Sequence, residues 1–487
     1  MIRLPLLRAT LRSYRNMLRR AHRRNPAAVN ALALVSVLAY LALMAVQMQA
    51  LASTIDLSTL TQLQATQLVG VAQAAAASVA AASLGVFMFL GLVDTAPAGL
   101  GVVAAVHDIG RVRLAWSVTG LDVAIASVAG LALTGPICLV TTHQVAQLAG
   151  ATPATGWSVG ALVTLSAAVG GAATAAAVTT LLRALLGRSL SRDTLRSLTL
   201  VALGLLLAGG VGTVLAGHPS GLVVLCPPFL LVEATRGLMP AALLSVLTLG
   251  WLVLSVSAFS LLHPGAVITR RSGHTRIDLH RVGGLPGAIV STFLREAMYM
   301  STIVLVVAIA GGVAFTRAHG RIDGPQAGML LLLALSMSGL AVVTVWFEVS
   351  NSGWVFRCRE HAHSRVVRCA VVVALVLSLA WAAVVIALQS ASVDVPQAVV
   401  LLASVIMSTA VAGLASVLVF RDGTSAEDRG ALMLAGLLAV LLTGLIWLVV
   451  SRIGDGDVTG PLAQLAAALG AAAGAVLIAR HQEGELA

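Results

Sequence analysis

Few residues in this chain are of a kind that could do chemistry, and most of them sit at the edges of apolar runs. Asp122 is the exception: it lies within the apolar stretch LDVAIASVAGLALTG, where a carboxylate is costly and is a functional candidate by default. It could belong to a proton path. The simpler expectation is that it reaches back to Arg111 or Arg113, or caps a break in its helix, because no second mid-membrane acid or base joins it in a relay. His361 and His363 flank one alanine beside Cys358; ligands so spaced on a basic loop make a poor metal site, and solvated histidines are expected there. Glu233 and Arg236 stand three residues apart and suit a local ion pair. The chain contains no lysine, all 30 basic residues being arginine. It therefore has neither the lysine of a phosphate-binding loop nor one for Schiff-base chemistry. No nucleophile elbow and no HExxH occurs, so the chain is not expected to be an enzyme or to hold a metal or cofactor of its own.

The surroundings of these residues set the class. Hydrophobic residues make up 59% of the sequence and charged residues 10%, and the mean hydropathy is +0.98. A soluble domain carries roughly 25% charged residues, so this composition predicts an all-α integral membrane protein. The net charge of +11 would suggest nucleic acid in a soluble protein, but basic cytoplasmic loops account for it here. Aromatic residues, at 4%, are too few for base stacking, and no nucleic-acid partner is expected. The four cysteines, Cys138, Cys226, Cys358 and Cys369, form no CxxC pair. A bridge between Cys138 and Cys226 is conceivable at the outer face, but buried free thiols are the expectation.

Apolar runs long enough to cross a bilayer lie at about 28–50, 72–94, 115–136, 157–182, 197–216 and 238–262, and again at about 297–316, 326–347, 369–388, 397–420, 430–451 and 461–479. The arginines support these twelve spans. With the N-terminus inside, the cytoplasmic segments hold 26 arginines and the external loops only Arg236, Arg317, Arg321 and Arg452. One missed helix would invert every later loop, so the sorting argues for twelve spans with both termini cytoplasmic. The stretch RATLRSYRNMLRRAHRRNP, with seven arginines in residues 8–26, then lies on the inner leaflet of a bacterial plasma membrane. Ala50-Leu51-Ala52 resembles a signal cleavage site, but the basic region before it is too long for a signal peptide.

The chain divides into two halves, 1–262 and 263–487, each with six spans preceded by a basic or amphipathic segment; in the second half this is an interfacial helix at about 285–296. The loops after spans two and eight share the spacing acid-x4-Gly-x7-His-x3-Arg: Asp94, Gly99, His107 and Arg111 against Glu348, Gly353, His361 and Arg365. Parallel duplication would present both loops to the same side. After span five, GLVVLCPPFLLV at 221–232 is too apolar for an ordinary loop and is broken by Pro227 and Pro228, which suggests a re-entrant or interfacial hairpin.

In these features the chain resembles the fused, twelve-span permeases of the type-2 ATP-binding-cassette (ABC) exporters. The likeness rests on RSYRNMLRRAHRRNP and VSTFLREAM before the first span of each half, and on the long loops after spans two and eight. The basic connection LLRALLGRSLSRDTLR and the apolar segment before span six complete it. It implies a transport pathway without its own motor, with ABC ATPase subunits docking on the cytoplasmic face and supplying ATP from outside this chain. Residues 99–113 and 353–368 would then be coupling segments, with Asp94, His107, Arg111 and Arg113, and Glu348, Arg357, Arg359, Glu360, His361 and Arg365, as candidate contacts. The substrate implied is amphipathic or lipidic, or a peptide or antibiotic. The alternative is a proton-coupled secondary transporter of the major-facilitator type, which VHDIGRVR at 106–113 resembles faintly.

In a chain whose native cysteines have been replaced, single cysteines at Gly99 and at Gly353 should both react with a membrane-impermeant thiol reagent from the cytoplasmic side only. Labelling on opposite faces would end the two-fold reading.

Overall fold

Lipid offers the backbone no hydrogen-bond partner, so apolar runs of this length must bond internally, as helices. The computed structural model describes residues 12, 15–16, 19, 26–54, 62–93, 111–186, 195, 197–206, 238–261, 284–318, 324–351, 363–389, 393–420, 429–453 and 459–486. Helices cover nearly all of them, with no strand among the described residues. Seven helices are long and apolar enough to cross a membrane, or eight if one bent pair forms a span. The protein is an all-α, multi-pass membrane protein.

By internal contacts the chain forms two compact units. One comprises Met1–Arg15 and Leu43–Ser272, the other Asn16–Ala42 and Gly273–Ala487.

Helix α1 (Pro26–Thr54) is followed by α2 (Gln62–Val93), α3 (Arg111–Leu148), α4 (Pro153–Leu186), the short α5 (Ser197–Leu206) and α6 (Leu238–Leu261). Helix α3 runs through Pro136 to Leu148, well past the expected end at 136. A proline removes one backbone donor, but inside a packed bundle the freed groups can be re-satisfied, and the helix continues. Gly150, with φ +85, turns the chain after α3. Thr152 then caps α4, accepting the Thr155 N–H at 3.3 Å, with Pro153 at the first helical position.

Helix α4 is the centre of the first unit: 72% of its most apolar stretch is buried, against 33% for α3 and for α6. Its stretch VGGAATAAA has side chains small enough to let neighbours approach closely. A Cβ on Gly171 would collide with the Ala80 backbone of α2, and one on Gly130 of α3 would collide with the Ser83 hydroxyl of α2. Hydroxyls tie α4 to α6. Ser166 and Ser245 share a hydrogen bond of 2.8 Å, Thr248 donates to the Ser166 carbonyl at 3.3 Å, and Thr180 donates to the Ser255 carbonyl at 3.3 Å. Interhelical bonds of this kind are worth about 0.6–2 kcal/mol each. The pairs advance in the same direction along both chains, so α4 and α6 are parallel. So are α2 and α4. Ala75 and Ala76 cluster with Val159 and Val163, and Leu84 and Phe87 further on with Ala172 and Ala176.

The second unit contains the first part of α1, to Ala42, whose Ala28 lies in its core, and α7 (Gly284–Arg295), α8 (Ala297–Ala318), α9 (Gly324–Leu340), α10 (Val342–Asn351), α11 (His363–Leu388), α12 (Val395–Val419), α13 (Arg429–Ile453) and α14 (Thr459–Leu486). Helix α7 buries Ala288, Ile289 and Phe293 on one face and exposes Leu294. The chain turns by 62° between α7 and α8, and Phe293 meets Tyr299 edge-on across the corner at 5.2 Å. The expected span at 326–347 is broken at Ala341, where the Thr344 hydroxyl donates to the Ala341 carbonyl at 2.8 Å.

The central helix here is α12, with 67% of its most apolar stretch buried. A Cβ on Gly339 of α9 would collide with the Ser408 hydroxyl of α12. Further along, the Trp346 ring lies about 3.7 Å from where a Cβ on Gly413 would stand, and Phe347 meets Phe420 at 5.5 Å. These contacts make α9–α10 parallel to α12. Ser404 donates to Gln464 Oε1 at 3.1 Å and Gln482 Nε2 to the Val417 carbonyl at 3.3 Å, which makes α14 parallel to α12 as well. Each unit thus has a buried helix flanked by two parallel ones.

Gly171→Ala should destabilise the detergent-purified chain by about 1–3 kcal/mol, because the added methyl meets backbone. Gly85→Ala, with open space around it, should be neutral or slightly stabilising. Thermal unfolding of both variants measures the contrast.

Candidate functional site

The two sequence-matched loops are framed by helix ends. In the first unit α2 stops at Val93 and α3 starts at Arg111. Asp94, Gly99 and His107 fall outside the described residues, while Arg111 and Arg113 occupy the first turn of α3. In the second unit α10 ends at Asn351 and α11 begins at His363. Arg357, Cys358, Arg359, Glu360 and His361 lie outside the described residues. Glu348, in the last turn of α10, is half-buried and engaged in an interaction.

What is described of the second loop's exit is well defined. The first two turns of α11 bury Ser364, Val366 and Val367 and expose Arg365 and Arg368. With a spacing of three, the two arginines share one outward face. The inward face packs in a core that includes Trp346, Phe347, Val417, Val419, Phe420, Ala475 and Ala479. The ends of α10, α11, α12 and α14 therefore gather at one place.

Helix ends leave backbone groups unpaired, and a buried end needs partners for them. The Ser364 N–H, in the first turn of α11, donates to Glu483 Oε1 at 2.5 Å. The Val417 carbonyl, in the last turn of α12, accepts from Gln482 at 3.3 Å. Neither Gln482 nor Glu483 stood out in the sequence-based reading. The available signal was RHQEGEL at the close of an apolar helix, because acids there oppose the helix's own dipole.

Asp122 lies eleven residues into α3, half-buried beside the buried Val123, and is engaged in an interaction. Pro227, Pro228, Glu233 and Arg236 lie outside the described residues, so the proposed hairpin has no described geometry. Cys138 is a buried free thiol with its sulfur 4.0 Å from the Thr142 hydroxyl. At the α3–α4 turn the buried His143 stacks on Trp157, with centroids 4.0 Å apart and planes 15° apart. Among the described residues no three of His, Cys, Asp and Glu come together as a metal set.

Comparison with protein-family models, curated proteins and solved structures finds no match to this chain.

Because Arg365 and Arg368 project outward, replacing both by glutamine should change stability by no more than about 0.5 kcal/mol, measured by thermal unfolding.

Proposed function

We propose that this chain is the membrane permease of an ATP-driven exporter of the type-2 ABC class, with both halves in one polypeptide. The observation that carries this reading is the shared plan of the two units. Each is organised around one buried helix, α4 or α12, with a parallel helix on either side of it in the chain. A chain leaving α4 must cross the membrane once more before it can enter α6 in the same direction, which is the place of the expected fifth span at 197–216. The arrangement of α12, α13 and α14 follows the same rule. Together with the sorted arginines, this suits two cytoplasmic loops, one after α2 and one after α10. A pair of equivalent loops suits a pair of equivalent partner subunits.

The energy must then come from outside, because the chain has no lysine with which to build a phosphate-binding loop. In this reading ATP binding draws two partner ATPases together. The ATPases carry the segments 99–113 and 353–368 with them, and the two halves reorient between inward- and outward-open states. Such a shift is driven only by the difference in contact energy that the partners make in the two states. Arg365 and Arg368 supply exposed positive charge at the second segment, suited to an acidic groove on a soluble domain. The cargo that the resemblance implies is amphipathic or lipidic, or a peptide or antibiotic.

The test is co-purification from the native membrane. An ABC-type ATPase should accompany the chain, and Arg365→Glu combined with Arg368→Glu should release it at least tenfold. Transport by the lone chain in proteoliposomes under a proton gradient, abolished by Asp122→Asn, would overturn the reading in favour of a secondary transporter.

A further inference from the structure

The last turn of α14 is an unfavourable place for an acid. The unpaired carbonyls at a helix C-terminus carry partial negative charge, and a carboxylate nearby is repelled. Yet Glu483 stands there, preceded by Gln482 on the buried stripe Ala468, Ala471, Ala475, Ala479. Ordering two long side chains costs up to roughly 2 kcal/mol each in rotamer freedom. Something must hold them.

What holds them is a pair of foreign helix ends of opposite polarity. Glu483 accepts the Ser364 N–H, one of the donors that α11 leaves unpaired at its N-terminus, where the dipole favours a negative charge. Gln482 donates to the Val417 carbonyl, one of the acceptors that α12 leaves near its C-terminus. The two bonds come from adjacent residues on one helix, so α14 bridges the start of α11 to the end of α12. The aliphatic core around Val367, Val417 and Ala479 closes the space between them.

We propose that Gln482 and Glu483 form a clamp that makes the start of α11 and the end of α12 move as one body. Resting on the exporter reading, its role is to carry a displacement of the 353–368 segment into the central helix of its unit. Glu483 is a positioning residue, acting through the first turn of α11. Without the clamp, the first turn of α11 would yield to a pull on the loop before it, and α12 would stay behind.

Amide hydrogen exchange on the purified full-length chain tests this. Glu483→Ala should speed exchange of the amides at 364–367 by roughly tenfold or more, as expected for loss of a charge-assisted bond. It should also speed exchange at 417–420, although none of those groups touches Glu483. Gln482→Ala should do the reverse, loosening its own end at 417–420 and also the amides at 364–367. Glu483→Gln, which keeps an acceptor oxygen, should stay close to the parent. Acceleration confined to the end that lost its bond would reduce the pair to two independent caps and overturn the proposal, as would no acceleration at all. If no ATPase accompanies the parent chain, the exporter reading fails, while the exchange pattern still decides whether the clamp exists.

Discussion

Close approach of helix to helix is the constraint on which the rest depends. Lipid tails are as apolar as leucine, so burying leucine between helices inside a membrane gains little. Helices associate there by van der Waals packing and by a few polar ties, and both need backbones to come near each other. In this protein the need is met at a handful of crossings, at Gly171 with Ala80, Gly130 with Ser83 and Gly339 with Ser408. A methyl group at any of them would occupy space that the neighbour already fills. The alanine-rich run of α4 extends the same condition over several turns, and the helix that carries it becomes the centre of its unit.

From that centre the arrangement of the other helices follows. A buried helix can take a neighbour on each side, and the chain supplies its own nearby segments. Hydroxyl and amide side chains mark the contacts between each central helix and the last helix of its unit, Ser166 with Ser245 and Ser404 with Gln464. These residues are too weakly polar to disturb a lipid-embedded helix much, since a serine or threonine can also bond within its own helix, as Ser245 does to the Ala241 carbonyl. They add direction to packing that small residues alone would leave free to slide.

Helix ends raise the opposite problem. Along a helix every backbone group is paired, but at its ends donors and acceptors are left over, and the gathered ends of α10, α11, α12 and α14 bury several of them. The last residues of α14 resolve two of these at once. The adjoining loop is the one whose residues match the loop after span two, so the proposed clamp stands next to the place where the sequence repeats. Under the exporter reading these are two aspects of one design: a docking loop outside, and a rigid end plate behind it.

Much of this was legible from residues alone. Apolar runs of membrane length announce helices because lipid allows the backbone no other choice. The amphipathic segment LPGAIVSTFLREA announces α7, because a one-sided apolar pattern is local to its own helix. Other features were decided only by tertiary structure. Whether VGGAATAAA packs or opens a seam depends on what stands opposite, and Ala80 stands there. Pro136 ends no helix and Ala341 interrupts one, because neighbours rather than propensity settle such points in a bundle. Glu483 is silent in the sequence because its partner is 119 positions away. Periodicity and charge act along the chain and can be read there; a cap supplied from another helix exists only once the chain has folded.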